Sequence, residues 1–377
     1  MSSTAPWGWY LAAVGSLGAV AAAIFASPRA AEAAAQTWSP FVLVSGLLLI
    51  GLVAEEDGLF RSAGSQLARL APNALALFGG ATLLIVVVTA TLNLDTSVVF
   101  LTPVLIAAGR ARGGGARPLL YGSLFLANAS SLFLPGSNLT NLIVLGHRPL
   151  SGGAFLGLMW PAALGAVVVT AGCVSVWGRR DLRGPTTPLV GADRPTLGLG
   201  VLTVALAVVL VVALRSPALP VLIVGMVAAV VRTAQRRVVA RQAAGALGAP
   251  VLVGLFGVTI ALGTLGRAWG GPATLLAHAG GVGTAIVAAG LSVLCNNLPA
   301  AALLAARTAP HPTDLLVGLN LGPNLFVSGS LAWFLWLRAA RAAGADPSVR
   351  QASRLGVIVV PLSVAAALAA LAWAGSG

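Results

Sequence analysis

Apolar runs long enough to cross a lipid bilayer recur along this sequence from Trp7 almost to the last residue. A helix needs roughly 17 to 25 predominantly apolar residues to span the hydrocarbon core. The chain of 377 residues is 58% hydrophobic and 8% charged, and its mean hydropathy is +0.95, which excludes a water-soluble domain with a polar surface. The sequence therefore predicts an all-α polytopic membrane protein without a sizeable soluble domain.

The apolar segments predict about nine crossings and two helical hairpins. Two stretches, 73–110 and 281–308, break at a polar tip and return, so we expect re-entrant hairpins there. Two full crossings over 73–110 would preserve the topology and stay an alternative. Before Arg29 the chain has no basic residue, which a signal peptide would carry, so we expect the first helix to be retained. The crossings are predicted at 7–26, 39–54, 118–146, 153–177, 196–214, 217–232, 249–266, 313–338 and 354–374.

The distribution of arginine predicts the orientation. All 22 basic residues are arginines, and nearly all fall between apolar segments. The formal charge of +13 therefore indicates membrane topology, and we expect no nucleic-acid partner. Basic residues collect in cytoplasmic loops, so we expect a multi-pass protein of the inner (cytoplasmic) membrane with its N-terminus in the cytoplasm and its C-terminus outside. This orientation leaves five arginines outside, namely Arg29, Arg148, Arg215, Arg267 and Arg307, and puts the other 17 inside.

The two halves of the chain repeat one order of segments. In each half an apolar helix leads into an amphipathic segment, followed by an interrupted hairpin, a helix broken by polar residues and a plain helix. Five crossings separate the two occurrences, which predicts two inverted repeats. Such repeats with discontinuous helices are typical of secondary transporters, whose binding site lies where the repeats meet. We expect repeats at 1–177 (hairpin 73–110, broken helix 118–146) and 196–377 (hairpin 281–308, broken helix 313–338), joined by a cytoplasmic linker at 178–195.

Polar residues interrupt the apolar segments at four matched places. These are "TLNLDTSVVFLTP", "SLFLPGSNLTNLIVLG", "SVLCNNLPAAALL" and "GLNLGPNLFVSGS". Broken helices survive at membrane depth only inside protein or around a hydrated cavity, although any single break has the simpler explanation of a kink that packs two helices. We expect polar side chains at the breaks to supply partners for the freed backbone groups. The predicted binding residues are Asn93, Asp95, Thr96, Asn128, Ser137, Asn138, Thr140, Asn141, Asn296, Asn297, Asn320, Asn324, Ser328 and Ser330.

Four motifs carry a family resemblance. The stretches "LDTSVVFLTPVLIA", "SLFLPGSNLTNLIV", "CNNLPAAALL" and "LGPNLFVSGSLAWFLWLR" resemble the ordered motifs of the ArsB-type arsenite/antimonite permeases of the ion transporter superfamily. The resemblance runs from about Gly46 to Arg341. It implies efflux of trivalent arsenic or antimony hydroxide driven by protons, with a soluble ATPase partner in some members. It also implies a fixed scaffold and a moving transport region that bears both hairpins, and hence an elevator-like motion. Asn128 and Asn320 stand where some relatives have aspartate, which leaves the coupling ion open.

Asp95 and the asparagines are the residues that we expect to carry protons and to contact the substrate. Asp95 is the only carboxylate predicted at a membrane-buried tip, which makes it a candidate proton carrier; a neutral or helix-capping aspartate is the alternative. Asparagine amides donate and accept hydrogen bonds, which suits a neutral polyhydroxyl solute such as arsenous acid. They could equally satisfy only the broken backbone.

The cysteines and the remaining polar or aromatic groups carry weaker expectations. Cys295 is a candidate contact for As(III), with a small buried hydrophobe as the alternative, which is also what we expect of Cys173. The two cysteines form no disulfide framework or metal spacing, and we expect no cofactor. The expected surface histidines are His147, His278 and His311. A solvated helix end is expected at Glu55, Glu56 and Asp57. Anchoring near the membrane interface is expected for Trp333, Phe334 and Trp336, with contact to lipid or to a neighbouring helix as the alternative.

Together these features predict a secondary transporter and not an enzyme. We expect arsenite or antimonite export across the cytoplasmic membrane in exchange for protons, with a soluble ATPase subunit and a homodimer left open. A sodium-coupled transporter of carboxylates or another anion from the same superfamily is the alternative, since serine, threonine and asparagine oxygens also suit sodium. An intramembrane enzyme would need paired acids, a Ser/His arrangement or a metal site, and the sequence offers none of these at membrane depth.

Overall fold

The computed structural model describes residues 6–146, 150–183, 198–235 and 248–375, and these ranges are helical and contain no β-strand. His147, Arg148 and the linker from residue 184 to 195 lie outside them. The helices are α1 (Pro6–Phe25), α2 (Ser27–Glu56), α3 (Leu59–Leu70), α4 (Ala74–Thr91), α5 (Leu94–Ala111), α6 (Ala116–Ser130), α7 (Leu139–Leu145), α8 (Gly152–Trp177), α9 (Arg179–Leu182), α10 (Leu199–Ala213), α11 (Ala218–Ala234), α12 (Ala249–Ala268), α13 (Gly271–Cys295), α14 (Asn297–Leu304), α15 (Pro312–Leu321), α16 (Leu331–Ala342) and α17 (Val349–Gly375).

The predicted all-helical membrane architecture is confirmed. Within the described ranges eight helices are long and apolar enough to cross a membrane, namely α1, α2, α4, α5, α8, α12, α13 and α17, and α10 and α11 are shorter apolar helices. Each predicted crossing coincides with a helix or with a helix pair that flanks a break. At the two breaks, short 3₁₀ turns at Pro135–Ser137 and Gly322–Leu325 separate α6 from α7 and α15 from α16.

Helix α2 begins earlier than the sequence predicts, and a kink divides α13. Helix α2 begins at Ser27 instead of residue 39, with Pro28 in the first turn, where the missing N–H of proline costs no intrahelical hydrogen bond. In α13 two helical segments meet at Gly280, whose φ of +63° and ψ of −175° are not helical. The predicted hairpin leg from residue 281 begins directly after this kink, and the amphipathic segment forms the part from Gly271.

The two hairpins differ in length. Helices α4 and α5 have 18 residues each, or about 27 Å at 1.5 Å per residue, so length alone allows either a hairpin or two crossings. The second hairpin returns through α14, which has only eight residues and extends about 12 Å. Because the hydrocarbon core is about 30 Å thick, the helical part of this returning leg is too short to cross a membrane.

Helices of the two halves contact each other reciprocally. Helix α1 packs on α12 as α11 packs on α2, and α5 packs on α16 as α14 packs on α7. Helix α4 contacts the 3₁₀ turn of the first break, and α13 contacts that of the second. This exchange of partners is the pattern that two related halves produce. The opposite orientation of the repeats and the boundaries 1–177, 178–195 and 196–377 stay predictions.

The contacts define two groups of helices. The scaffold group consists of α1, α2, α10, α11 and α12, in which α2 contacts each of the other four. The hairpin group consists of α4–α8 and α13–α17, and it contains both hairpins and both broken helices. The two groups meet where α2 packs against α5 and α7 and where α12 packs against α14.

The expectation that Trp333 and Trp336 anchor the chain at the membrane interface is wrong. Both side chains are fully buried. Their indole N–H groups donate to the backbone carbonyls of Pro323 and Leu120, each at 2.8 Å, so they hold the second break and α6. Only Phe334 of this aromatic set is exposed.

Asp57 also differs from the expectation of a solvated helix end. Its side chain is 3% exposed and forms an ion pair with Arg232, whose side chain is 9% exposed. The same carboxylate oxygen accepts a hydrogen bond from the backbone N–H of Gly200 at 2.7 Å. This pair therefore joins the ends of α2, α10 and α11 inside the scaffold group.

Candidate functional site

At the first break, side chains satisfy the carbonyls that the interrupted helix leaves free. The hydroxyl of Ser137 and the side-chain amide of Asn141 both lie within hydrogen-bonding distance of the backbone oxygen of Ser131, each at 2.7 Å. Both also reach the backbone oxygen of Leu134. Asn138 caps α7 by accepting from the N–H of Thr140 at 3.3 Å. These contacts are those expected of a helix broken at membrane depth.

Asn320 joins the first break to the second broken helix. Its Oδ1 accepts from the hydroxyl of Ser131 at 2.6 Å and from the amide of Asn138 at 2.8 Å. Its Nδ2 donates to Oδ1 of Asn141 and to the carbonyl of Leu316, both at 2.8 Å. The Asn320 side chain is fully buried, and it forms these hydrogen bonds on both sides of its amide group. Three predicted residues are therefore in direct contact, together with Ser131, which the predicted set does not include.

The second break contacts both α6 and the second hairpin. Asn324 donates from Nδ2 to the carbonyl of Phe125 at 3.2 Å. The backbone N–H of Asn297 donates to the carbonyl of Gly329 at 2.9 Å, and the Ser328 hydroxyl donates to the carbonyl of Val293 at 2.5 Å. The second hairpin tip is therefore fastened to the second break.

Asn296 shapes the turn between α13 and α14. It is the only non-glycine residue with positive φ within the described ranges, at +78°, and its Oδ1 accepts from the N–H of Leu298 at 3.2 Å. L-residues rarely adopt this backbone conformation, and it costs of order 1–3 kcal/mol. The same residue therefore forms the strained turn and caps the first turn of α14.

The first hairpin tip is held differently. Asn93 caps α5 by accepting from the N–H of Thr96 at 2.7 Å, so the capping role considered for Asp95 belongs to Asn93. Asp95 lies in the first turn of α5 and is partly exposed. Gly51 of α2 approaches the tip so closely that a Cβ there would lie 2.6 Å from Cγ2 of Thr96. The tip therefore lies where the two helix groups meet.

Contacts connect three of the four predicted interruptions, and the first hairpin touches them through its helix α4. Helix α4 of the first hairpin contacts the 3₁₀ turn of the first break, and Asn320 joins the first break to the second broken helix. The second break is hydrogen-bonded to the second hairpin, whose α14 packs on α7. The two breaks and the second hairpin tip are therefore neighbours in the fold, and the first hairpin packs against the first break through α4.

Several predicted residues retain unused hydrogen-bonding capacity. Within the described ranges, some fully buried polar atoms have no hydrogen-bond partner. Such atoms occur at the first hairpin tip and in both broken helices, but not at the second hairpin tip. A buried polar atom without a partner is costly and calls for an explanation; a bound polar solute would supply one. The atoms at predicted residues are Asn93 Nδ2, Thr96 Oγ1, Asn128 Oδ1, Thr140 Oγ1, Asn324 Oδ1 and Ser330 Oγ. The neighbouring hydroxyls of Ser97 and Ser130 have the same property.

The side chains of Cys295 and of the described histidines are exposed or partly exposed, although Cys295 adjoins Asn296 at the second hairpin tip. The Cys295 side chain is exposed, next to Leu294, which is 81% exposed, so it is not the buried hydrophobe considered as the alternative. His278 is exposed and His311 is partly exposed. No group of three or more potential metal-ligating side chains occurs within the described ranges.

The structure also reveals a polar contact that the sequence interpretation missed. Gln36 on α2 donates to the carbonyls of Ile143 and Ala305 at 2.8 and 3.0 Å and accepts from Arg267 at 2.6 Å. A crevice of about 690 Å³ opens beside it, lined by Arg29, Arg267 and Arg307 among others. A second cavity of about 170 Å³ shares Gln36 and reaches Pro135 and Gly136 of the first break. An isolated glutamine at the start of an apolar run was the only signal in the sequence.

Comparison with protein families gives one match that covers most of the chain. The family model described as citrate transporter, CitMHS, matches residues 7–335. The match includes both hairpins, the first broken helix, and the second broken helix as far as the second turn of α16.

Curated relatives and a solved structure agree with this assignment. The arsenical pump membrane protein of Yersinia enterocolitica is 26% identical, over 89% of this chain and 86% of its own length. The protein of the same name from Escherichia coli K12 is 25% identical with the same coverage. A crystal structure of the YdaH transporter of Alcanivorax borkumensis matches with a TM-score of 0.54 and 18% identity, over 89% of this chain and 85% of that one. The last likeness shows the fold alone, and the named relatives confirm the resemblance that the motifs predict.

Proposed function

The chain belongs to the citrate transporter family, and from that premise we propose that it is a secondary active transporter that exports arsenite or antimonite in exchange for protons. Membrane transport is the common property of the family and of the curated relatives. The cargo, the coupling ion and the direction of transport belong to this proposal. A soluble ATPase subunit and a homodimer stay predictions.

The contact made by Asn320 is the observation that carries the proposal. It brings the first break and the second broken helix together through buried amide and hydroxyl groups. Around these contacts lie the unpartnered oxygens of Asn128, Thr140 and Asn324. A transporter needs such a shared polar region within the apolar interior, because its cargo must exchange water for protein hydrogen bonds there.

The side chains around the breaks suit a neutral hydroxylated solute. Arsenous acid carries three O–H groups and is uncharged at neutral pH, so it needs both acceptors and donors and no charged partner. Asparagine amides and threonine or serine hydroxyls supply both. No arginine occurs in the four quoted polar interruptions, which favours an uncharged cargo over a multivalent anion.

Asp95 is the proposed proton carrier. It stands in the first turn of α5 at the hairpin tip, where the two helix groups meet and where relative movement would change its surroundings. No hydrogen bond or ion pair of its carboxylate is seen within the described residues. A carboxylate in such a place can change its protonation as the environment changes.

Everted membrane vesicles test the function directly. The vesicles should accumulate radiolabelled or mass-detected arsenite when their interior is acidified, and accumulation should stop when a protonophore collapses the pH gradient. Vesicles from cells without the protein are the control. Arsenite accumulation at control level with confirmed expression would overturn the proposal.

A sodium-coupled transporter of carboxylates or another anion is the second candidate. It is favoured by the family's description as citrate transporters and by the unpartnered oxygens at the breaks, since sodium prefers oxygen ligands. The same vesicles separate the two functions. Citrate or dicarboxylate uptake that requires a sodium gradient, without arsenite uptake, would assign the second function.

A further inference from the structure

Gln36 connects three helices that belong to different groups. It lies on α2 of the scaffold group. Its side-chain nitrogen Nε2 donates to the carbonyl of Ile143 in α7 and to the carbonyl of Ala305 at the end of α14. Both recipient helices belong to the hairpin group. One belongs to the first broken helix and the other to the second hairpin. A single side chain thus holds two elements of the hairpin group against the scaffold.

Arg267 fixes the orientation of this amide. Its Nη2 donates to Oε1 of Gln36 at 2.6 Å, and Nη1 donates to the carbonyl of Gly263 at 3.0 Å. Its Nε lies 3.2 Å from a carboxylate oxygen of Glu32. Because arginine can only donate, it must face Oε1 of Gln36, and the NH₂ group must then face the two carbonyls. The Arg267 side chain is only 8% exposed.

The close approach at Gly146 completes the contact. A Cβ at Gly146 would lie 2.6 Å from Cγ of Gln36, so a larger residue there would displace the glutamine. Gln36, Ala35 and Gly146 line both the crevice of about 690 Å³ and the cavity of about 170 Å³. Gln36 therefore stands between the crevice and the cavity that reaches the first break.

We propose that Gln36, oriented by Arg267, is a positioning residue that latches α7 and α14 to α2 and closes the route from the crevice to the first break. The inference rests on the proposed function, because a latch matters only if the two helix groups move relative to each other. Opening requires the two carbonyls to exchange Gln36 for water or for another donor. Arg267 stays with the scaffold and holds Gln36 ready for reclosure.

Thiol labelling tests the latch without any substrate. In a background with Cys173→Ala and Cys295→Ser, Leu142→Cys places a reporter in the smaller cavity, which Leu142 lines. The purified protein is placed in lipid nanodiscs, so both faces are accessible and membrane orientation does not matter. The rate of reaction with a bulky water-soluble maleimide then measures how often the route opens.

Two variants remove the latch in different ways. Gln36→Met keeps the size of the side chain and loses all its hydrogen bonds, and Gln36→Glu keeps an oxygen for Arg267 and loses both donors. We expect each to raise the labelling rate roughly five- to tenfold. This is the change expected when the closed form loses the net stabilisation of one or two hydrogen bonds. Size-exclusion chromatography confirms that each variant is folded, and either variant suffices for the test.

Gln66→Met on α3 is the matched control, since Gln66 makes no hydrogen bond to the hairpin group within the described residues. An unchanged labelling rate in the latch variants would overturn the proposal, and so would an equal rise in the control. If arsenite transport were absent while the latch variants accelerated labelling, the transport function would fail and the latch would stand.

Discussion

Asn320 on α15 donates from Nδ2 to Oδ1 of Asn141 on α7 at 2.8 Å, and the two residues are 179 positions apart. Each belongs to a different interrupted helix, and both are fully buried. The carbonyls freed at the first break are satisfied within their own half by Ser137 and Asn141, whereas the side-chain oxygen of Asn141 finds its partner in the other half. The two halves are therefore joined by buried side-chain hydrogen bonds beside the breaks.

Asn320→Leu should destabilise the protein. It removes the partners of the Asn138 and Asn141 amides, and each buried group left unpaired costs about 1–3 kcal/mol. Thermal unfolding of the purified protein in detergent measures the loss. Asn320→Asp keeps the acceptor for Ser131 and Asn138, and its protonated carboxyl can donate to Asn141 Oδ1 or to the Leu316 carbonyl, so at a pH that protonates it we expect a smaller loss. Equal melting temperatures for the two variants would contradict the role of the acceptor.

Asp95→Asn should remove the dependence of arsenite transport on the pH gradient. The fold should persist, because Asn93 and not Asp95 caps α5. The measurement is arsenite uptake into everted vesicles with and without an acidic interior, normalised to the amount of protein in the membrane. A variant that still requires the acidic interior would exclude Asp95 from proton coupling.

Breaking the buried pair of Asp57 and Arg232 should be costly. Asp57→Asn leaves the arginine without its counterion, and loss of one partner from a buried pair costs about 3–5 kcal/mol. Arg61→Gln is the control, because its pair with Glu55 is 3.9 Å long and Arg61 is 68% exposed; exposed pairs contribute roughly 0–1 kcal/mol. Similar melting temperatures for the two variants would show that the Asp57 pair does not stabilise the scaffold group.

Trp336→Phe should lower the melting temperature through two losses. The variant removes the hydrogen bond to the Leu120 carbonyl and leaves a cavity, for a combined cost on the order of 2 kcal/mol. Phe334→Leu changes an aromatic residue on the same helix that is 49% exposed, and we expect little effect from it. A larger drop in melting temperature for Phe334→Leu than for Trp336→Phe would contradict the stabilising role of the Trp336 indole.

Cys295→Ser should leave arsenite transport unchanged. The Cys295 side chain is exposed, whereas the amides at the breaks are buried, so a cargo held by those amides has no need of the thiol. Arsenite uptake in everted vesicles, compared with Cys173→Ala as the second single variant, measures the effect. Loss of uptake in Cys295→Ser alone would make the thiol a cargo contact.

Hydropathy predicts the helices and their interruptions because both follow from local composition. Apolar runs with proline, glycine and asparagine at their centres mark α6, α7, α15 and α16 directly. The partners of those residues could not be predicted, because Asn320 meets Asn141 only through the reciprocal packing of the two halves. Ser131 was missed for the same reason: in the sequence it is one serine among several polar residues.

The errors also have physical causes. Hydropathy cannot tell an aromatic residue that faces lipid from one that packs inside protein, so Trp333 and Trp336 were assigned to the interface. Asp57 was assigned to water because its partner Arg232 is 175 positions away. Gln36 was missed because a single polar residue near a helix end resembles the boundary of a membrane segment.

The turn at Asn296 has a consequence for how the second hairpin returns. Glycine would adopt a φ of +78° without a steric penalty, but it has no side-chain oxygen for the N–H of Leu298, which Asn296 caps. The returning helix α14 therefore starts from a turn in which backbone strain and a side-chain cap oppose each other.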